Sequence, residues 1–493
     1  MSLTKCCKEK RMKQPGRQVK TKQGIIQGIR LVDDGNCQID AFLGVPFAKP
    51  PIGSLRFKKP ELPESWEGVK KQCTLKNGFA VMVFIHGGAF LIDSASRYGD
   101  INICNTLCRR NVIVVTIEYR LGLLGFFCTG DEACPGNIAL WDQTMALQWI
   151  KENISAFYGD PDRITVVGQS AGGACADFLS LSPISRNLFQ QVIAMSGNAE
   201  CAWAHSETER IVDVCKKFAE SREYHEEMLD YLRTLPTKVF ERRRIRIILS
   251  PVIDGDFLPK SIEELRKEAP IKNCIIGTCK YESLIFAAIS LRSFSLRYMD
   301  KILNAYITPN EYVNYGKLHK KAKNYYLNNI NINDRLAVAH ACEKLSSNLF
   351  LTNSTVEYVE RMISLGHKVH LYSFDHFNPR SYGILSLIAP FKGSTHCTDL
   401  NYIFGLNIFP LSFKYTKSDE YVKNEVSKLW TNFAKFGNPN DINNMPTSEN
   451  LKWSPVMDKS FCYLSIDTDI FQMKKGIIIK KQNFGAICKM IMW

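Results

Sequence analysis

The chain has 493 residues, of which 45% are hydrophobic and 23% are charged, so it can bury a large core as one α/β domain or as two smaller ones. Its formal charge of +14 would suggest a nucleic-acid partner, but the first thirty residues hold nine Lys or Arg and one Glu, and nine minus one is +8 of that total. The rest of the chain is only modestly basic. We therefore predict a disordered basic arm over residues 1–22 and expect no nucleic-acid partner.

The cysteine pattern and the hydropathy pattern exclude other classes. Seventeen cysteines, an odd number, occur without C-x-x-C or Cys/His spacing, which favours reduced thiols over a disulfide framework and predicts no metal site. No apolar stretch near the start has the length of a secretory signal, and no run of roughly eighteen apolar residues predicts a transmembrane segment. We expect a cytoplasmic protein, or a secreted or lumenal one if the N-terminus is incomplete; the oligomeric state is unknown.

In chain order, predicted strands alternate with predicted helices. Residues 24–43 predict a hairpin at the edge of a sheet, with its turn at residues 33–36. Apolar runs predict buried strands at 81–86, 112–119, 164–169, 191–197, 273–278 and 368–374. Helical patterns cover 137–157, 171–181, 206–246, 283–366 and 426–435. This order predicts one α/β domain over 23–493, with a mostly parallel sheet covered by helices on both faces and residues 283–366 as a helical cap.

The pentapeptide Gly168-Gln169-Ser170-Ala171-Gly172 follows one of these strands and precedes a helix. A serine at the apex of such a sharp turn is strained, and glycines two residues before and after it avoid side-chain collisions. The positive end of the following helix favours negative charge that develops beside the serine. The pattern predicts Ser170 as a nucleophile; the alternative is a glycine-rich loop that matches by chance.

A second glycine turn, His86-Gly87-Gly88, follows the predicted strand at 81–86. Two successive glycines there let backbone N–H groups converge on one point, as an oxyanion requires. On its own, an ordinary glycine turn would be the better interpretation. Its position upstream of the serine turn, with each turn directly after its own strand, favours the oxyanion interpretation.

A nucleophilic serine needs a base, and the base needs a carboxylate to hold it. Glu282 follows the next-to-last of these predicted strands, and His396 lies in a glycine-bearing loop after the last one, in the chain order serine, acid, histidine. The other histidines lie in predicted helices, in the last of these strands or at its ends, or in the glycine turn. Asp254 and Asp256 are the competing acids, but they precede the relevant strand and are expected in a turn.

With these residues in place, the chain resembles the type-B carboxylesterases, the cholinesterase-like family of α/β-hydrolases, and within it the nematode gut-esterase-like branch. The resemblance covers nearly everything after the basic arm. Its marks are FLGVPFAKPP at 42–51, HGG at 86–88, YRLG at 119–122, DQ at 142–143, GQSAGG at 168–173, PVIDG at 251–255, KYES at 280–283, GSTH at 393–396 and DLNY at 399–402.

The resemblance implies the α/β-hydrolase fold and a serine carboxylic ester hydrolase that needs no cofactor and acts on a small-molecule ester. It makes Ser170 the nucleophile, Glu282 the acid and His396 the base. It also places the oxyanion donors on Gly87, Gly88 and Ala171, and implies that Ser196 supports the acid from behind.

Departures from the family pattern bear on substrate and activity. A segment between about residues 67 and 80 is shorter than in the family. The residue before the nucleophile is the neutral Gln169 instead of a glutamate, and the family's loop that binds a quaternary ammonium is absent. These changes predict a neutral ester whose apolar acyl group faces Phe90 and Trp203. The alternative is a catalytically silent adhesion or binding protein of the same fold, which the shortened segment would favour.

Overall fold

The structure of the chain is a computed structural model. It describes residues 14–66, 78–219, 225–243, 249–289, 294–309, 312–407, 413–441, 443, 451–458, 460–468 and 470–476. Most of the segment predicted to be shortened, residues 67–77, lies outside the described residues. Its shortening stays a prediction.

A small antiparallel sheet opens the described chain. Its three strands are β1 at Pro15–Lys20, β2 at Ile25–Asp33 and β3 at Gln38–Ala41. The predicted hairpin is confirmed as β2 and β3, and the Asp34 carboxylate accepts N–H bonds from Asn36 and Cys37 in the turn between them. The hairpin belongs to this separate sheet and not to the edge of the main one.

The prediction of a disordered arm is wrong for residues 15–20, which form β1. Val19 is buried, the Arg17 N–H donates to the Asp40 carboxylate at 3.2 Å, and the Lys22 ammonium lies 3.1 Å from the Glu152 carboxylate. The charge of residues 1–22 was counted as a whole, and this concealed a short strand whose Val19 is buried. Residues 1–13 lie outside the described residues.

The main sheet has eight strands. They are β4 Phe79–Ile85, β5 Val112–Ile117, β6 Gly159–Gln169, β7 Gln191–Met195, β8 Asn273–Cys279, β9 Lys368–Phe374, β10 Tyr463–Ile466 and β11 Phe471–Lys474. Their order across the sheet is β11-β10-β9-β8-β7-β6-β4-β5, and every neighbouring pair is parallel except β10 with β11. The strands predicted from apolar runs are confirmed, whereas β10 and β11 were not predicted.

Helices connect the strands and cover the sheet. They are α1 Ile101–Thr106, α2 Leu123–Phe126, α3 Ile138–Asn153, α4 Ala171–Leu181, α5 Thr208–Phe218, α6 His225–Thr234, α7 Thr237–Arg243, α8 Ile262–Glu268, α9 Leu284–Ile289, α10 Leu296–Tyr306, α11 Tyr315–Tyr326, α12 Arg335–Ser347, α13 Asn353–Ser364, α14 Thr398–Phe404 and α15 Lys417–Phe436. Short 3₁₀ turns lie at Gly53–Leu55, Ala95–Tyr98, Cys108–Arg110, Ile154–Phe157 and Pro379–Leu387. In the part of the chain that the structure describes, no helix is both long enough and apolar enough to cross a membrane.

The sheet is buried on both faces, as its continuous apolar strands require. In β4, Val83 and Ile85 pack into the core that contains α3 and α4, whereas Met82 and Phe84 pack into the core that contains α14 and α15. Alternate residues of β4 therefore pack into two cores, one on each face of the sheet. The predicted α/β-hydrolase architecture is confirmed.

The helices α9 to α13 form the cap between β8 and β9, and the helical prediction for residues 283–366 is confirmed where that segment is described. The cap has an apolar core of its own around Met299, Leu318 and Leu345. Between α12 and α13 the helix widens into one π-helical turn at Asn348–Thr352. Such turns are rare inside α-helices and often occur at functional sites.

Candidate active site

Ser170 lies at the apex of a sharp turn between β6 and α4. Its backbone has φ 57° and ψ −125°, a strained conformation for a residue with a side chain. A Cβ atom on Gly168 would lie 2.0 Å from the Gly172 carbonyl oxygen, and one on Gly172 would lie 2.1 Å from the Ile85 carbonyl oxygen. Only glycine allows this approach of strand, turn and helix, so the predicted nucleophile turn is present.

The glycine turn after β4 packs directly against the Ser170 turn. A Cβ atom on Gly87 would lie 3.1 Å from the Ser170 Cβ. Gly88 has φ +98°, and a Cβ atom there would lie 2.0 Å from the Ile92 carbonyl oxygen. The turn is anchored by the Tyr119 hydroxyl, which donates to the His86 carbonyl at 2.7 Å. The structure brings Gly87 beside Ser170, while oxyanion binding by Gly87, Gly88 and Ala171 stays a prediction.

Glu282 and His396 meet where the loops after β8 and β9 come together. A bridge between Tyr281 and Thr395 joins the two loops, with the Tyr281 N–H donating to the Ser394 carbonyl at 2.8 Å. This contact places the Nδ1 atom of His396 2.6 Å from the Glu282 carboxylate, with both side chains buried. The acid–histidine pair predicted from chain order is present.

The other carboxylate oxygen of Glu282 accepts two hydrogen bonds. It accepts the Ser196 hydroxyl at 2.6 Å and the Cys279 N–H at 2.6 Å. These donors fix the position of the carboxylate, so it can hold His396 in the tautomer with its proton on Nδ1. Ser196 therefore occupies the supporting position predicted for it.

The second ring nitrogen of His396 faces the Ser170 turn. Its Nε2 atom lies 3.2 Å from the side-chain amide nitrogen of Gln169, the residue just before Ser170. In the neutral imidazole with its proton on Nδ1, Nε2 accepts this amide N–H. Gln169 thus contacts the predicted base His396, whereas the sequence placed it only next to the predicted nucleophile. The link from Nε2 to the Ser170 hydroxyl stays a prediction.

Burial and neighbouring groups shift the pKa of His396 and of the nearby Asp399. Burial lowers the pKa of His396, but Cys397 and the Glu282 carboxylate outweigh it and hold that pKa well above its usual value. A second buried carboxyl group, Asp399, accepts the Tyr372 hydroxyl at 3.1 Å. Burial, together with the Glu282 charge, raises the pKa of Asp399 to about 6.

A continuous wall of aromatic rings runs from the glycine turn to His396. The rings of Phe90 and Trp203, both predicted, lie 6.2 Å apart. Trp203 stacks on Phe350 at 5.6 Å and donates its indole N–H to the Phe350 carbonyl at 2.8 Å. Phe350 contacts Phe286 at 4.9 Å, and Phe286 lies 5.1 Å from the His396 ring.

Phe286 and Phe350 were not predicted from the sequence. Phe286 lies four residues after Glu282, one turn into the cap, so helical spacing could have placed it near the acid. Phe350 lies inside the π-helical turn Asn348–Thr352. No pattern in the sequence signals that turn, because it depends on how α12 and α13 pack.

The sheet order, the strained serine turn and the buried acid–histidine pair together define an α/β-hydrolase. The chain belongs to the carboxylesterase family, whose family model matches residues 15–77 and 70–485. The protein is therefore an ester-hydrolysing enzyme. The two matched stretches meet in the region where the shortened segment is predicted.

The sequence is also similar to named esterases and hydrolases, which supports the family assignment. The chain is 35% identical to the esterase cest-33 of Caenorhabditis elegans, over 82% of each chain. It is 28% identical to gut esterase 1 of Caenorhabditis briggsae, over 95% of this chain and 92% of that protein. It is also 28% identical to the medium-chain fatty acyl-CoA hydrolase precursor of Anas platyrhynchos, over 91% of this chain and 88% of that protein. The resemblance to the nematode gut-esterase-like branch is confirmed.

Proposed function

We propose that this carboxylesterase hydrolyses neutral esters with apolar acyl groups through an acyl-enzyme formed on Ser170. The observation that carries the proposal is the orientation of His396. Its Nδ1 is 2.6 Å from Glu282, and its Nε2 points to the side chain next to Ser170. An imidazole held in this way is a base directed at the serine turn.

In the first half of the reaction, the Ser170 hydroxyl oxygen attacks the ester carbonyl carbon while His396 Nε2 takes the hydroxyl proton. The backbone N–H groups of Gly87, Gly88 and Ala171 stabilise the oxyanion of the tetrahedral intermediate. When the intermediate collapses, the bond to the alcohol oxygen breaks and the alcohol leaves with the proton from His396. The acyl group remains on Ser170.

In the second half, water takes the place of the alcohol. His396 removes a proton from the water as its oxygen attacks the acyl carbon, and the same N–H groups stabilise the oxyanion. Collapse releases the carboxylic acid and returns the proton to Ser170. Throughout, Glu282 compensates the charge of the imidazolium, and Ser196 and the Cys279 N–H hold Glu282 in place.

The preference for apolar acyl groups is supported by the aromatic wall and by the neutral residue beside the base. Trp203 and Phe350 are partly exposed and Phe286 is exposed, so these three rings offer surface to an acyl chain, whereas the predicted Phe90 is buried. Gln169 offers no charge that would attract a cationic substrate. A relative named as a medium-chain fatty acyl-CoA hydrolase also acts on an apolar acyl group.

A fluorophosphonate probe and a p-nitrophenyl ester test the proposal. We expect the wild-type protein to hydrolyse p-nitrophenyl butyrate and to be labelled on Ser170. Ser170→Ala should lose both properties, while Ser364→Ala, an exposed serine on α13, should keep both. Labelling that persists in Ser170→Ala would remove Ser170 from the role of nucleophile.

The alternative, a catalytically silent adhesion or binding protein, is not favoured by the family and its named esterases. It predicts a folded wild-type protein without turnover and without probe labelling. The same two measurements therefore separate the two functions.

A further inference from the structure

Another buried carboxyl group, besides Asp399, lies near Glu282 on the cap side. Glu343, in the third turn of α12, is 3% exposed. Among the ion pairs of the described residues, none joins Glu343 to a lysine, arginine or histidine. The ionisable groups that face it from other elements are Glu282, in the loop after β8, and Tyr382, in the 3₁₀ turn at Pro379–Leu387.

Glu343 is connected to the catalytic loop through two serine hydroxyls. The N–H of Ser283, the residue after Glu282, donates to the Ser347 hydroxyl at 2.9 Å. The Ser347 hydroxyl in turn donates to the Glu343 carboxyl group. The Ser283 hydroxyl donates to the Glu343 backbone carbonyl at 3.2 Å. These bonds tie the peptide next to Glu282 to one helix of the cap.

The surroundings of Glu343 make its charge depend on pH near neutrality. Burial raises the pKa of Glu343 to about 7, the nearby Glu282 acts in the same direction, and the Ser347 and Ser283 donors oppose the rise. A carboxyl group bonded only to neutral hydroxyls and without a cation is most stable in its protonated form.

We propose that Glu343 is a positioning residue for Glu282: through Ser347 it holds the amide of Ser283, and its ionisation adds a second negative charge behind the Glu282–His396 pair. The inference rests on the proposed function. It deepens that function by giving the catalytic acid a partner in the cap.

The negative charge of ionised Glu343 changes the pKa of His396 in a defined direction. When Glu343 ionises, its negative charge stabilises the imidazolium form of His396 and raises the pKa of His396. The imidazole then loses its proton only at higher pH. The acid limb of kcat/KM in the wild-type protein then contains the titration of Glu343 in addition to those of His396 and of Asp399, whose pKa is raised to about 6. Removing the ionisation of Glu343 should lower the midpoint of the limb.

Glu343→Gln keeps the shape and the hydrogen-bonding atoms and removes the charge. We expect the acid limb of kcat/KM for p-nitrophenyl butyrate to move down by about 0.5 pH unit, with kcat changed by less than about twofold. Glu425→Gln, which changes a buried glutamate on α15, is the matched control and should leave the limb in place. An acid limb that coincides in Glu343→Gln and the wild type would overturn the proposed charge effect.

Thermal unfolding tests the titration of Glu343 without using activity. An acid whose folded pKa lies above its unfolded value makes the folded state less stable as pH rises from the unfolded value through the folded one. The Tm of Glu343→Gln minus that of the wild type should therefore increase from about pH 5 to about pH 8. A constant difference would overturn the ionisation that the proposal requires.

The hydrogen-bonded connection has its own test. Ser347→Ala cuts the link to the Ser283 amide and leaves the Glu343 carboxyl group in place. We expect kcat to fall about tenfold with little change in KM. An unchanged kcat would overturn the positioning role. A folded wild-type protein without turnover would instead contradict the proposed function, and the unfolding test would still report on Glu343.

Discussion

Gln169 determines which charge lies next to the reactive nitrogen of His396. Its amide nitrogen is 3.2 Å from Nε2, within hydrogen-bonding distance. A neutral amide can donate to the unprotonated imidazole without stabilising the protonated form. The base therefore keeps its ability to accept a proton, even though Glu282 and Cys397 already raise the pKa of His396.

Gln169→Glu tests this role at the residue scale. A carboxylate at this distance would pair with the imidazolium and raise the pKa of His396 further. We expect the acid limb of kcat/KM to move up by about one pH unit, so that activity at a pH on that limb falls by about tenfold. Gln169→Met, neutral and similar in size, serves as the control: it removes the amide N–H without adding a charge and should move the limb up by less than Gln169→Glu does. Coincident limbs in all three proteins would show that Nε2 does not sense this side chain.

At the element scale, β4, β6 and α4 interlock through glycines. The close approaches at Gly168 and Gly172 bring the start of α4 against the carboxyl ends of both strands. The consequence is a serine turn whose strain is held by packing on all sides. The turn and its neighbouring glycine turn therefore form one rigid unit.

Gly168→Ala should disrupt this unit, because the new Cβ would lie 2.0 Å from the Gly172 carbonyl oxygen. We expect the free energy of unfolding to fall by at least about 2 kcal/mol and probe labelling of Ser170 to be lost. The control is Gly316→Ala in the first turn of α11, where a Cβ would meet no atom within 4 Å. That change should be neutral or stabilise by up to about 1 kcal/mol. Equal stability of the two variants in urea unfolding would contradict the argument.

At the scale of the whole molecule, a buried ion network connects distant segments. Arg266 on α8 donates to both oxygens of Asp177 on α4, at 3.0 and 2.8 Å, and to Glu200 after β7 at 3.0 Å. Asp177 also accepts the Ala199 N–H at 2.9 Å. The guanidinium lies over the ring of Tyr358 on α13, 4.9 Å from its centroid. Helices α4, α8 and α13, on one face of the sheet, are thus joined around Arg266.

Arg266→Met should leave Asp177 as a buried charge without its partner. The expected loss is about 3–5 kcal/mol in the free energy of unfolding, measured by urea denaturation. Lys267→Met, next to it in sequence but exposed, should change that free energy by no more than about 0.5 kcal/mol. A small loss in Arg266→Met would show that the network contributes little to stability.

Much of the fold and part of the site could be predicted, because they depend on short-range rules. Continuous apolar runs require strands buried on two faces, and glycines around Ser170 are needed wherever backbone and helix approach so closely. Chain order then limited the acid and the base to Glu282 and His396. The strand β1 was missed because its residues were assigned to the basic arm by charge, and six residues with one buried apolar side chain, Val19, give only a weak strand pattern.

Other features depend on contacts between residues far apart in the chain, which no local pattern encodes. The bond from Gln169 to His396, the position of Phe350 in the π-helical turn and the connection from Glu343 to Ser283 arise only when the loops after β8 and β9 meet the cap. Local conformation follows from side-chain volume and backbone freedom at each position, so strands and turns could be inferred from the chain alone, and Ser170 stays the predicted nucleophile. Distances between separated side chains follow from sheet register and helix packing, and these set the environment of the base.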